Sequence, residues 1–374
     1  VFSVFGASLL SAAASLPLHL MPLLVVSLVA ESRLPFAQAG LIASAYMMGQ
    51  MVATLGLPAL KFVRLRRTHA VAAVGVLVAS VFVSANLYAQ AMIACWFVVG
   101  AACGALQFLG ATAAAAAANR QRAFGLRLAV TLLVSGVAIV AVQLTGGFAG
   151  YASLTMQLGL VFLAITGAGL ALYRTPAPTP MDNPSVAGLA KPVVRPDRLL
   201  GLVVIFLLFV GQPGFLAYAV QNVQQRGVVL EHLAYAIALC KLAAGLVLLV
   251  TVMRPPDQAK DGLLFPGLVV AVGVLGMAMT SDALSFMLSL LLWELGLNVL
   301  SARLQAAVVQ DNPGTAGPWL VGAIFLGAAA GPVLHGLAIQ ARVPMVFAVY
   351  ASLSALIPVA WIYFRTRLAA ARAV

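Results

Sequence analysis

Twelve apolar runs follow one another along the chain, most of them separated by only a few residues. They cover residues 4–30, 37–59, 69–89, 91–117, 124–147, 152–173, 199–223, 232–253, 263–281, 284–306, 317–340 and 344–364. As a helix, about 20 apolar residues cross the hydrocarbon core of a bilayer. Irregular backbone cannot face lipid, so each run is expected to be helical. Composition agrees. The chain is 63% hydrophobic and 8% charged, whereas soluble domains carry about 25% charged residues. The expected class is an all-α polytopic membrane protein with twelve transmembrane helices. The first run is too long for the core of a secretory signal and reads as the first span.

One connection is longer than the rest. Residues 174–198 carry Pro176, Pro178, Pro180, Pro184, Pro192 and Pro196 and too few apolar residues to fold alone, so they read as a linker between two sets of six helices. The net charge of +12 would suit a nucleic-acid partner, but the basic residues sit in short loops, where they report topology instead. Seventeen of them fall on one set of alternating loops, from Lys61 through Arg127, Lys191, Arg254 and Arg303 to Arg372. Only Arg33, Arg226 and Arg342 fall on the other set, which places both termini and the linker in the cytoplasm. Cys95, Cys103 and Cys240 lie inside apolar runs and read as small buried hydrophobes, with no metal or disulfide spacing.

Residues 284–306 hold the strongest chemical signal. Glu294 lies roughly 16 Å from the start of its run, near the membrane midplane. A carboxylate there costs at least about 2.5–3.5 kcal/mol, so it is expected to face protein or a wet cavity. Asn298 is one turn on, about 40° around the same face. Arg303 is nine residues on and about 180° away, so a partner for Glu294 has to come from another helix. Lys241, roughly 14 Å into the eighth run, reaches nearly the same depth.

Polar side chains recur with a period of three runs. They include His19, Tyr46 and Gln50, Gln107, Gln143, Gln212 and Tyr218, Lys241, Glu294 and Asn298, and His335, while runs 3, 6, 9 and 12 have no ionisable residue in their middles. Nested three-helix repeats around a central cavity produce such a pattern, with the bland third helices facing lipid.

Six plus six spans, a cytoplasmic linker and bland third helices together resemble the major facilitator superfamily of secondary transporters. Locally, AQAGLIASAYMMGQMVATLGLP (37–58) running into Lys61-Phe62-Val63-Arg64-Leu65-Arg66-Arg67 is similar to that family's second helix and the basic loop after it. Leu60 and Val63 stand where the family has an acidic residue and a glycine. Gly327-Ala-Ala-Ala-Gly331-Pro332 resembles a Gly-x-x-x-Gly-Pro pattern of family antiporters, though in the pseudo-equivalent helix of the other half. Gly327 and Gly331 permit close helix approach, and Pro332 permits a bend. Tight packing and a hinge for alternating access are both consistent with this pattern. The resemblance implies two six-helix bundles with inverted three-helix repeats, at 1–173 and 199–374, joined by the linker at 174–198.

By the same resemblance the cavity would be lined by Glu294, Lys241, His19, His335, Asn298, Gln50, Gln107, Gln143, Gln212, Tyr46 and Tyr218. These are candidates for binding substrate or proton. Two readings of Lys241 and Glu294 stay open: an ion pair that only makes insertion tolerable, or a pair broken and remade as substrate or proton binds. The glutamines serve equally as substrate partners or as interhelical glue worth about 1 kcal/mol. Nothing resembles an enzyme, a metal cluster or a phosphate-binding loop, and no cofactor is expected. The expected function is proton-coupled secondary transport of a small amphipathic organic solute, including carboxylate-bearing ones, by rocking of two halves. The alternative is a membrane receptor or assembly partner of the same fold that does not transport. The compact, alanine-rich chain suggests a monomer of the bacterial inner membrane, with small molecules, protons and lipid as its partners and no nucleic acid.

Overall fold

The computed structural model describes residues 2–32, 36–59, 67–87, 89–115, 117, 120–146, 150–173, 196–253, 264–309 and 313–372. The basic loop at 60–66, linker residues 174–195 and the loop at 254–263 lie outside the described residues. Among the described residues the elements are all helical: α1 (Phe2–Ser32), α2 (Phe36–Ala59), α3 (Arg67–Ser84), α4 (Ala89–Ala115), α5 (Arg120–Leu144), α6 (Tyr151–Leu172), α7 (Pro196–Gln224), α8 (Leu230–Met253), α9 (Leu264–Met279), α10 (Ala283–Val309), α11 (Pro313–Gln340), α12 (Pro344–Ser354) and α13 (Ile357–Arg372). Among the described residues, eleven spans are long and apolar enough to cross a membrane, with α12 and the first part of α13 counted together as Pro344–Phe364.

Three details depart from the expected runs. The ninth span is shorter: α9 has 16 residues, a rise of only about 24 Å. Its last carbonyls are covered from outside the helix. Gly227, at φ 95, turns the chain after α7, and Arg226 beside it donates to the carbonyls of Thr280 at 2.5 Å and Ala278 at 2.8 Å. A guanidinium at a helix C-terminus satisfies orphan carbonyls and complements the dipole. The twelfth span is two helices, not one. Pro358 has no N–H to give to Ser354, and the chain tightens into Leu356 N–H to Leu353 carbonyl (2.9 Å) before resuming. Finally, α7 begins at Pro196, so the last three residues assigned to the linker are helical.

Burial differs widely between the spans. The span of α1 is 83% buried, whereas that of α3 is 28% buried. Helix α1 is therefore central and α3 peripheral, as the absence of ionisable side chains from the middle of α3 predicts. The two sets of six helices meet along two glycine-lined seams. On the first, α2 lies against α11: the Ser44 hydroxyl donates to the Ala329 carbonyl at 2.5 Å, and a Cβ at Gly40 would lie 2.9 Å from the Pro332 carbonyl oxygen. On the second, α5 lies against α8: a Cβ at Gly136 would lie 3.0 Å from the Ala238 carbonyl oxygen, and one at Gly245 would lie 3.1 Å from the Leu133 nitrogen. At such distances only glycine lets the backbones touch.

Gly327 and Gly331 pack against α7, where a Cβ at the facing Gly214 would lie 2.6 Å from a main-chain carbon of Gly331. Gly214→Val is expected to destabilise the chain by about 1–3 kcal/mol or more through overpacking. Thermal unfolding in detergent checks this; an unchanged midpoint would mean that α7 and α11 are not in backbone contact.

Candidate functional site

Three helices meet at mid-height. Lys241 comes from α8 and Glu294 from α10, and their side chains form an ion pair through Nζ and Oε1. Both are nearly sealed, at 1% and 2% exposure. The neighbouring Cys240 thiol donates to the Met287 carbonyl at 3.2 Å and holds α8 to α10 at this level. Asn298, one turn below Glu294, donates to Glu294 Oε2 at 3.2 Å and to its main-chain carbonyl at 2.7 Å. Each carboxylate oxygen therefore has a donor.

The ammonium has a second neighbour, supplied by the first half. His19 Nδ1 of α1 lies 3.1 Å from Lys241 Nζ. A protonated lysine has donors only, so His19 Nδ1 accepts and its own proton sits on Nε2. Lys241 thus links a residue of the first six helices to one of the last six. His19 and Asn298 are half-buried, and they flank the sealed pair.

A second polar cluster lies nearer the end of the bundle where α1 begins. Gln107 of α4 accepts from the Ser11 hydroxyl at 2.7 Å and donates to the Ser11 carbonyl at 3.2 Å and to the Ser15 hydroxyl. Arg127 of α5 donates through Nε to Ser11 Oγ at 2.7 Å and through Nη2 to Gln107 Oε1. Arg127 counts above among the loop cations. The structure corrects this: its head turns into the bundle. Ser11, Ser15 and His19 are spaced by four, so α1 carries a polar stripe from one cluster to the other.

The other candidates lie apart from this stripe. The Tyr46 hydroxyl and Gln50 Nε2 of α2 both donate to the Ala14 carbonyl, at 2.6 and 3.4 Å. Gln212 of α7 accepts from Trp293 Nε1 at 2.7 Å and donates to the Ala351 carbonyl at 2.6 Å and to Ser354 Oγ at 3.0 Å, tying three helices together. His335 of α11 is fully buried. Phe215 and Phe347 are stacked on it with centroids at 5.8 and 4.5 Å, and Tyr218 meets it edge-on at 5.1 Å. Its Nδ1 lies 2.8 Å from the Gly214 carbonyl. Among the described residues the second nitrogen, Nε2, has no partner, and neither has the side-chain oxygen of Gln50 or Gln143. The Tyr218 hydroxyl lies against Gly40 of α2, where a Cβ would fall 2.7 Å from it.

Arg127, Ser11 and Ser15 are the site residues absent from the sequence-derived set. The signals were a cation five residues past Arg122, inside the apolar run, and serines at helical spacing before His19.

No protein-family model and no curated protein matches the sequence. Solved structures do match. The human organic anion transporter MFSD10 (TETRAN) superposes with a TM-score of 0.69 at 18% identity, over 96% of this chain and 97% of that one. The nucleoside transporter NupG, as its D323A mutant, superposes with a TM-score of 0.72 at 12% identity, over 96% of this chain and 99% of that one. At these identities the likeness shows the fold. It is the fold of these two transporters, and it agrees with the all-helical, two-bundle architecture that the sequence resemblance implied.

Proposed function

We propose that this chain is a proton-coupled secondary transporter of a small amphipathic organic solute, working by rocking of its two halves. The observation that carries this reading is the contact between His19 and the buried Lys241–Glu294 pair. A pair serving stability alone needs no residue from the opposite half, and buried pairs stabilise weakly, if at all, relative to apolar replacements. A pair that touches both halves changes its surroundings whenever they separate. Proton or substrate then favours one arrangement over the other, which is what drives a two-state switch. The fold supports the reading, since structural neighbours include a transporter of organic anions and one of nucleosides.

Glu294, Lys241, His19 and Asn298 form the proposed coupling centre. Gln212, Tyr46 and Gln50 act chiefly as interhelical ties, and Gly327, Gly331 and Pro332 as tight packing that carries α11 with α7. With Arg127 set aside, sixteen loop cations still stand against three, which supports cytoplasmic termini. A monomer in a bacterial inner membrane completes the proposal.

Solute flux into proteoliposomes under an imposed pH gradient tests it. Accumulation above equilibrium that collapses with a protonophore is the expected result. No gradient-driven flux across a broad panel of organic solutes, together with a copurifying partner protein, would leave the receptor or assembly role standing instead.

A further inference from the structure

Ser11 and Gln107, on two different helices, hold the head of Arg127, a cation that no carboxylate among the described residues answers. Arg127 lies five residues past Arg122, where the span of α5 begins, so its Cα is about 8 Å inside. An arginine near a helix end normally turns its head back to the interface. Here Nε reaches Ser11 Oγ instead. Ser11 lies seven residues past Val4, where the span of α1 begins, or about 10 Å inside. The head therefore points deeper into the bundle, not out of it.

Its partners are a hydroxyl and an amide, both neutral, so the charge of the guanidinium is only solvated, not cancelled. Nε and Nη2 are engaged; Nη1 makes no hydrogen bond among the described residues, and the side chain is partly exposed. Lys241, the other cation inside the bundle at this side of α1, already has Glu294. An intramembrane charge without a counter-ion marks a pathway or binding site by default. A guanidinium fork suits a planar carboxylate.

We infer that Arg127, with Ser15 and Gln107 beside it, is an anion subsite that takes the carboxylate of an amphipathic organic substrate. It rests on the transport reading and gives that reading a substrate class. The stripe of Ser11, Ser15 and His19 sets the distance: eight residues of α1 separate the subsite from the Lys241 level, about 12 Å. A solute anchored by its carboxylate at Arg127 directs its far end toward His19.

The test is calorimetric binding to the purified full chain in detergent, with 1-naphthoate and its uncharged isostere 1-naphthamide as probes. The wild type is expected to bind the carboxylate at least about tenfold more tightly than the amide. Arg127→Gln is expected to remove that ratio, and Arg127→Lys to retain part of it, because the charge stays while the fork is lost. A wild type without the preference, or Arg127→Gln with it intact, overturns the inference. If Arg127→Gln does not fold, Arg127→Lys decides, since an unchanged ratio in that variant also overturns it. Failure of the transport reading looks different: the ratio persists while proteoliposomes show no gradient-driven flux.

Discussion

Lys241→Ala is expected to lower the unfolding free energy by about 3–5 kcal/mol, whereas the double change Lys241→Ala/Glu294→Gln recovers most of that loss. Glu294 is 2% exposed and faces the ammonium directly. Without Lys241 it keeps the amide of Asn298 at 3.2 Å, but a single neutral donor does not offset a buried carboxylate. Converting Glu294 to glutamine removes the stranded charge and leaves an amide that Asn298 can still meet. Thermal and denaturant unfolding of the three proteins in detergent measures the difference. A single variant as stable as the wild type, or a double variant no better than the single one, would show that the two charges are not balanced against each other.

Glu294→Gln is expected to reduce uphill accumulation under a pH gradient to background while leaving exchange and downhill flux measurable. Glutamine keeps the size of the side chain and its contact with Asn298 but carries no proton between states. In the wild type, any movement that draws Lys241 toward His19 and away from Glu294 bares a carboxylate inside the membrane, and protonation removes that charge. The proton is thereby tied to one facing state. Comparing solute uptake driven by a pH gradient with counterflow in the same vesicles separates the two activities. Normal accumulation by Glu294→Gln would place the proton carrier elsewhere, with His19 next to be tested.

Much of this architecture is legible in one dimension because the bilayer is an unforgiving solvent. Long apolar runs mark spans, and basic loops mark sides. The depths of Lys241 and Glu294 follow from counting residues at a fixed rise, so their nearness in height was readable; their bonding was not. Distance along a helix says nothing about which face meets which neighbour once twelve helices pack together. Gln212 and Gln107 show the same limit. Both are glutamines in apolar runs, yet one lies between Trp293, Ala351 and Ser354 and the other beneath Arg127. Polar residue type in a span is evidence of a partner, not of which partner.

The sequence by itself determined the all-helical class, the number of spans and the expectation that α3 faces lipid, because each depends on local polarity and length alone. It also made Glu294 the acidic residue at mid-span that has to be explained. Tertiary structure decided the rest. It brought His19 of the first half onto Lys241 of the second, turned Arg127 from a loop cation into a buried-facing one, split the last span at Pro358 and shortened the ninth under the reach of Arg226. In each case the deciding free energy is a contact between residues far apart in the chain: a counter-ion, a hydrogen-bond partner or a glycine-sized gap. Such contacts exist only after the helices have packed.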